Sequence, residues 1–298
     1  MITAVALAGY ALLLGAVVPY ALARARWAHR APVAALLAWQ GLTLAFVVTA
    51  ALAAYHLVLS DQHVHDGLTG LLSACGLGAG APAAPAPGAG ALAAPAAMVL
   101  LPLGRLAHTA WQARRERRSH AGLLAMIGTE SARYGATVVE YPVPAVYCLP
   151  GRDRRIVVTR GALEALSGEQ LRAVLAHEEA HLRGRHHLLQ VATKGFARAF
   201  PGLPLARLAR EQTALLLEMA ADDRALRSHS RTALASAMCE VAAGRAPRGA
   251  LGAGGQSVLI RLHRILTPQA GAGRAAWPAA AASVAAPLLP LLLTCGPV

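Results

Sequence analysis

His177 and His181, with Glu178 between them, are the residues of this sequence whose types and spacing carry the clearest chemistry. The stretch Ala176-His177-Glu178-Glu179-Ala180-His181 puts two imidazoles four residues apart. On a helix that spacing is one face, where two ring nitrogens can hold one metal ion. Composition alone gives about 0.02 chance matches to His-Glu-x-x-His in the whole chain, so coincidence is a poor account. Glu218 is a candidate third ligand, and Asp222, four residues on, shares its helical face and can orient a liganding histidine through the free ring nitrogen. Two His and one Glu make a catalytic zinc set that leaves a fourth position for water. Glu178 then stays off the metal, takes a proton from the attacking water and passes it to the leaving amine. The bland alternative is a pair of surface histidines with Glu218 in a solvated salt bridge, and it has no need of this combination at this spacing.

Several elements must position these groups. Ser167-Gly168-Glu169-Gln170 is a capping box that starts the helix bearing His177 and His181. Glu218 and Asp222 fall in a strongly helical segment, 205–229. Upstream, 119–136 reads as a helix, Thr137–Tyr141 as a short strand, and 145–159 as a hairpin of strands 145–149 and 155–159 around the turn Pro150-Gly151-Arg152-Asp153. One hairpin edge is expected to be free to pair with a peptide, which suggests 145–149 as the place where a substrate adds a strand. His187 is expected on another face from the site. Arg261 and His263 are the only candidates found for an oxyanion donor, and an amphipathic helix over 258–264 lying near acidic headgroups is the favoured reading of that stretch.

The remainder of the chain is unlike a soluble domain. Of 298 residues, 56% are apolar and 14% charged, against about 45–50% and about 25% in ordinary globular proteins. Disorder is excluded on these numbers. Uncharged stretches predict three transmembrane helices in 1–104, at about 2–23, 33–59 and 86–106, and a fourth in 275–298, with a Pro/Gly/Ala-rich external loop at 60–87. Arg residues follow the first span (Arg24, Arg26, Arg30) and the third (Arg105 and the Arg114–Arg118 run), and Arg274 precedes the fourth. By the positive-inside rule this makes 105–274 one cytoplasmic domain, with both termini outside. Absence of a basic residue before the first span argues against a cleaved signal peptide. The net charge of +13 is read as this topological signal, with the lipid bilayer as partner and no direct contact with nucleic acid. Four cysteines with no paired spacing suggest neither a zinc ribbon nor a disulfide framework.

Residues 147–189 (YCLPGRDRRIVVTRGALEALSGEQLRAVLAHEEAHLRGRHHLL) and 218–226 (EMAADDRAL) resemble the gluzincin core of the BlaR/MecR-type integral-membrane zinc metallopeptidases and their HtpX and CAAX-processing relatives. Three spans before the core and one after it resemble the BlaR/MecR arrangement. The resemblance implies a mainly α fold with a gluzincin-like α+β domain, one Zn2+ per chain on His177, His181 and Glu218, Glu178 as general base, and Asp222 supporting a ligand. His186 stands where relatives often carry Asp, and is read as a support for the site rather than a fourth ligand. The chain ends at Val298 without the penicillin-binding sensor domain of the antirepressors, so direct acylation by a β-lactam is not expected. The expected activity is a zinc metalloendopeptidase with a protein substrate, a cytosolic BlaI-type repressor by resemblance. Alternatives are HtpX-like quality control of membrane proteins and a non-catalytic receptor or scaffold.

Overall fold

In the computed structural model, residues 2–58, 93–151, 154–245, 253–267 and 276–290 are described. The expected external loop 60–87, Arg152 and Asp153 of the expected turn, and 291–298 lie outside the described residues. Two compact units result: Met1–Ala107 with Thr193–Gln212 and Gly273–Val298, and His108–Ala192 with Thr213–Ala272.

The first unit is helical. Helix α1 (Ile2–Leu12), a π-helical turn (Leu13–Val17) and α2 (Val18–Ala23) follow one another, then come α3 (Arg26–Arg30) and α4 (Pro32–Val58). Thr3–Ala23 and Pro32–Val58 are each long and apolar enough to cross a membrane. The expected third span overlaps α5 (Ala93–Ile127), and the expected fourth overlaps α12 (Ala276–Ala285). Helix α4 meets α12 so closely at Gly41 that a Cβ there would lie 2.4 Å from the Ser283 carbonyl oxygen.

The second unit holds a four-stranded sheet of order β1-β2-β4-β3. Its strands are β1 (Gly128–Ser131), β2 (Ala136–Val139), β3 (Val146–Leu149) and β4 (Arg155–Thr159). The expected helix 119–136 is corrected here. Helix α5 stops at Ile127, and Gly128–Ser131 pairs antiparallel with β2 across a turn in which Gly135 takes φ +60, a conformation no α-helix can contain. The expected hairpin forms, with β3 antiparallel to β4 and Val146 opposite Val158, while β2 runs parallel to β4. Strand β3 is therefore an edge.

Alternation along β4 sends Ile156 and Val158 to one face of the sheet and Val157 to the other. The first pair joins Leu171, Val174 and Leu182 of α7 (Gly168–Arg183), and Val157 packs with Leu124 and Leu149. Helix α6 (Arg160–Ala165) begins at Thr159, whose hydroxyl accepts from the Ala162 amide and donates to the Val143 carbonyl. Beyond α7 lie α8 (His186–Ala199), α9 (Pro204–Ala225), α10 (Arg231–Arg245) and α11 (Ala253–Leu266). Ala173, Ala225, Leu234 and Ile265 form a second apolar cluster that joins α7, α9, α10 and α11.

Candidate metal centre

Helix α7 starts as its cap dictates: the Ser167 hydroxyl accepts from the Gln170 amide while the Gln170 side chain accepts from the Ser167 amide. With its first turn so fixed and its apolar stripe on the sheet, the helix carries His177 and His181 on one face. Their Nε2 atoms lie 3.1 Å apart. From α9, the Glu218 carboxylate comes to 3.5 Å from His177 Nε2 and 3.4 Å from His181 Nε2. Ligand atoms of the three residues all fall within 4.8 Å of one another.

The other nitrogen of each ring is engaged as well. Asp222 Oδ1 lies 3.0 Å from His177 Nδ1, and His186 Nδ1 lies 2.8 Å from His181 Nδ1. Both rings are thus held with Nε2 toward Glu218, the arrangement that fixes tautomer and orientation in metal-binding histidines.

Arg261, from α11, closes the back of the site. Its Nε and Nη2 donate to the two Asp222 oxygens at 2.8 and 2.7 Å, and its Nη1 reaches Glu218 Oε2 at 2.7 Å. The guanidinium of Arg261, named above only as a candidate oxyanion donor, is committed to these two carboxylates as a clamp that offsets the charge of Glu218 and of fully buried Asp222. His263 is exposed, and its neighbour Arg264 pairs with Asp223 instead.

Electrostatics separate the roles. Burial pushes Glu178 up from the ordinary carboxylate value, the direction a general base near neutrality requires. Burial also acts on Glu218, but the His177 hydrogen bond and Arg261 outweigh it and hold the carboxyl at about 2. Asp222 is likewise held at about 2, chiefly by Arg261 and His177 against its burial. His181 is pulled down to about 4, first by burial. For His177 burial works downward, yet Asp222 and Glu218 prevail and raise it to about 9. One ionised carboxylate and two imidazoles, each anchored through its second nitrogen, fit a divalent metal of zinc type in chemistry and number. Among the described residues this is the one His/Cys/Asp/Glu group that meets the geometry of a metal site.

Cys148 is one of the four cysteines whose spacing suggests no pairing. It lies on β3, and its thiol is pushed up to about 12, first by burial and then by the neighbouring Glu178 carboxylate. The base therefore sits beside the edge strand. Only the alternation of the hairpin could have hinted at this, by placing Cys148 on the face opposite Tyr147.

Residues 110–242 match the model of Peptidase family M48. That stretch contains the whole sheet, His177, Glu178, His181, Glu218 and Asp222, but not Arg261. It supports a metallopeptidase of the M48 family, and mainly helical structure with a small mixed sheet agrees with the expected fold class at that level. No curated protein and no solved structure matches the chain.

Proposed function

We propose that this chain is a zinc-dependent membrane endopeptidase, with His177, His181 and Glu218 holding one zinc ion and Glu178 serving as general base. The observation that carries the reading is the convergence of three ligand atoms within 4.8 Å, on two helices, beside a buried carboxylate of raised pKa. A zinc ion held there supplies Lewis acidity, polarising a peptide carbonyl and making water more acidic. Glu178 accepts the proton of the attacking water and returns it to the departing amine. The Cys148 thiol steadies its carboxylate from the side of β3. An extended substrate that adds to the free β3 edge runs past Cys148 and so brings its backbone alongside Glu178. Asp222 and His186 keep the two imidazoles aligned, and Arg261 keeps Asp222 and Glu218 ionised.

In this reading the protein is multi-pass, with four spans and a cytoplasmic peptidase domain, supported by two apolar helices of spanning length and by the placement of Arg residues after the uncharged stretches. A BlaI-type repressor is the substrate favoured by the span arrangement. Quality control of membrane proteins is the second reading, since the M48 match carries no preference for the BlaR/MecR type. Cytosolic against membrane proteins accumulating in a deletion strain separate the two.

The test is Glu178→Gln in detergent-purified full chain, with metal content measured beside hydrolysis of an unstructured protein such as casein. The expected result is zinc retained at the wild-type level and hydrolysis lost. Wild-type hydrolysis by the variant refutes the mechanism, and zinc that survives both His177→Ala and Glu218→Ala refutes the site.

A further inference from the structure

A second concave site in the sheet-containing unit has no part in the chemistry above. It is a cavity of about 590 Å³, within the range of small-ligand pockets. Arg114, Arg117 and Arg118 reach it from α5, Arg154 from just before β4, Arg185 from the turn into α8 and His187 from the first turn of α8. The α5 residues stand at positions i, i+3 and i+4, one face of the helix. Among the described residues no Asp or Glu lines the cavity, and none of the five arginines forms an ion pair with another of them. His187 Nδ1 is buried there without a hydrogen-bond partner. Its imidazole is pushed down first by burial and then by Arg117, Arg154 and Arg185, which records how closely these cations crowd it. Arg117 is itself lowered, by burial and by Arg114, which outweigh the opposing pull of Glu116 on the same helix.

Guanidinium groups that converge from three elements without forming ion pairs among the described residues repel one another, and an anion that accepts from several at once removes that repulsion. A phosphate group suits this better than a single carboxylate, because it offers more acceptor oxygens to planar, bidentate donors. Leu149, Leu182 and Leu188 also line the cavity, so an aliphatic group attached to the phosphate has an apolar surface to pack on.

We propose that this cavity is an anion site for a phosphate group carried on an aliphatic residue, the chemistry of an anionic phospholipid headgroup. Its position beside the basic run that follows the third uncharged stretch supports the lipid as source, since such juxtamembrane arginines face acidic headgroups. The site is independent of peptide hydrolysis, and so is its test.

Full-length protein, delipidated in a neutral detergent, is titrated with phosphatidylglycerol, with phosphatidylcholine, with inorganic phosphate and with a poly-glutamate peptide, and binding is read by thermal shift and by lipid retention in native mass spectrometry. Arg118→Ala/Arg154→Ala removes two exposed cavity cations, and Arg172→Ala/Arg227→Ala removes two exposed cations elsewhere. Phosphatidylglycerol is expected to stabilise the wild type and the second variant, phosphatidylcholine neither. Loss of two charge-assisted contacts weakens binding by the first variant about tenfold or more. Arg118→Lys/Arg154→Lys keeps the charge without the fork and falls between. Saturation by inorganic phosphate with the same dependence on Arg118 and Arg154 supports the phosphate site and makes its source soluble. Equal responses in both alanine variants, no response to either phosphate probe, or protection by poly-glutamate peptide alone overturns it, the last in favour of an acidic protein segment.

Discussion

Replacing Asp222 with asparagine tests whether this carboxylate governs His177, and the sign of the result depends on pH. Asp222 is fully buried, 3.0 Å from His177 Nδ1, and asparagine keeps an oxygen in place while removing the charge. Two effects oppose. Loss of the anionic partner loosens the imidazole, a change that costs about 10- to 100-fold in metal affinity at comparable sites. Without metal, however, the same carboxylate helps raise His177 to about 9, so at pH 7 a metal must displace a proton held about two units above the ambient pH, a penalty of about 100-fold. The variant escapes most of that competition. His181 at about 4 and Glu218 at about 2 carry no proton at pH 7 and leave the dependence to His177. Wild-type zinc affinity should therefore climb about tenfold per unit between pH 7 and about 9 and then level off. The asparagine variant should be nearly flat, with the two curves about 10- to 100-fold apart above pH 9 and converging toward pH 7. Competition against a chromophoric chelator measures both, with circular dichroism to verify folding. A gap that is constant from pH 7 upward, or equal affinities above pH 9 in two folded proteins, refutes the assignment.

Glu178 must be ionised to act, and burial raises its pKa, so kcat/KM against pH should show an acid limb above the ordinary 4.5, with activity rising as pH increases through it; a limb at or below that value contradicts the burial argument. Ser167→Ala removes one half of the capping box that starts the helix of His177 and should lower stability by about 1 kcal/mol, seen as a lower melting temperature that Ser167→Asp largely restores. Gly161→Ala places a Cβ 2.0 Å from the Pro142 carbonyl oxygen, a clash with backbone that should cost about 1–3 kcal/mol. Unchanged melting of that variant would mean that the segment before β3 is held less firmly than its Thr159 contacts imply.

What could be read from the chain, and what could not, divides by the range of the interaction involved. His177, Glu178 and His181 are legible because the helical period alone puts two of them on one face, and the Ser167 box marks where that helix begins. The β3–β4 hairpin is legible for the same kind of reason, since alternation and a Pro-Gly turn are local. Helix α5 ends earlier than 119–136 suggested because pairing of Gly128–Ser131 with β2 wins over weak local preference, and that pairing depends on a turn at Gly135 with positive φ. Arg261 is separated from Asp222 by 39 residues, and no spacing rule connects them; on its own the stretch 258–264 reads as an amphipathic surface helix. Cys148 is beside Glu178 only because β3 lies at the sheet edge next to α7. The Arg114–Arg118 run shows both limits together. Membrane topology is a sufficient account of four basic residues after an apolar stretch, and nothing in that account anticipates Arg154 and Arg185 arriving from two other elements to complete one cavity. A charge run that suffices as a topological signal can also be one wall of a binding site, and the difference lies in whether other elements bring further charges of the same sign to it without a counterion.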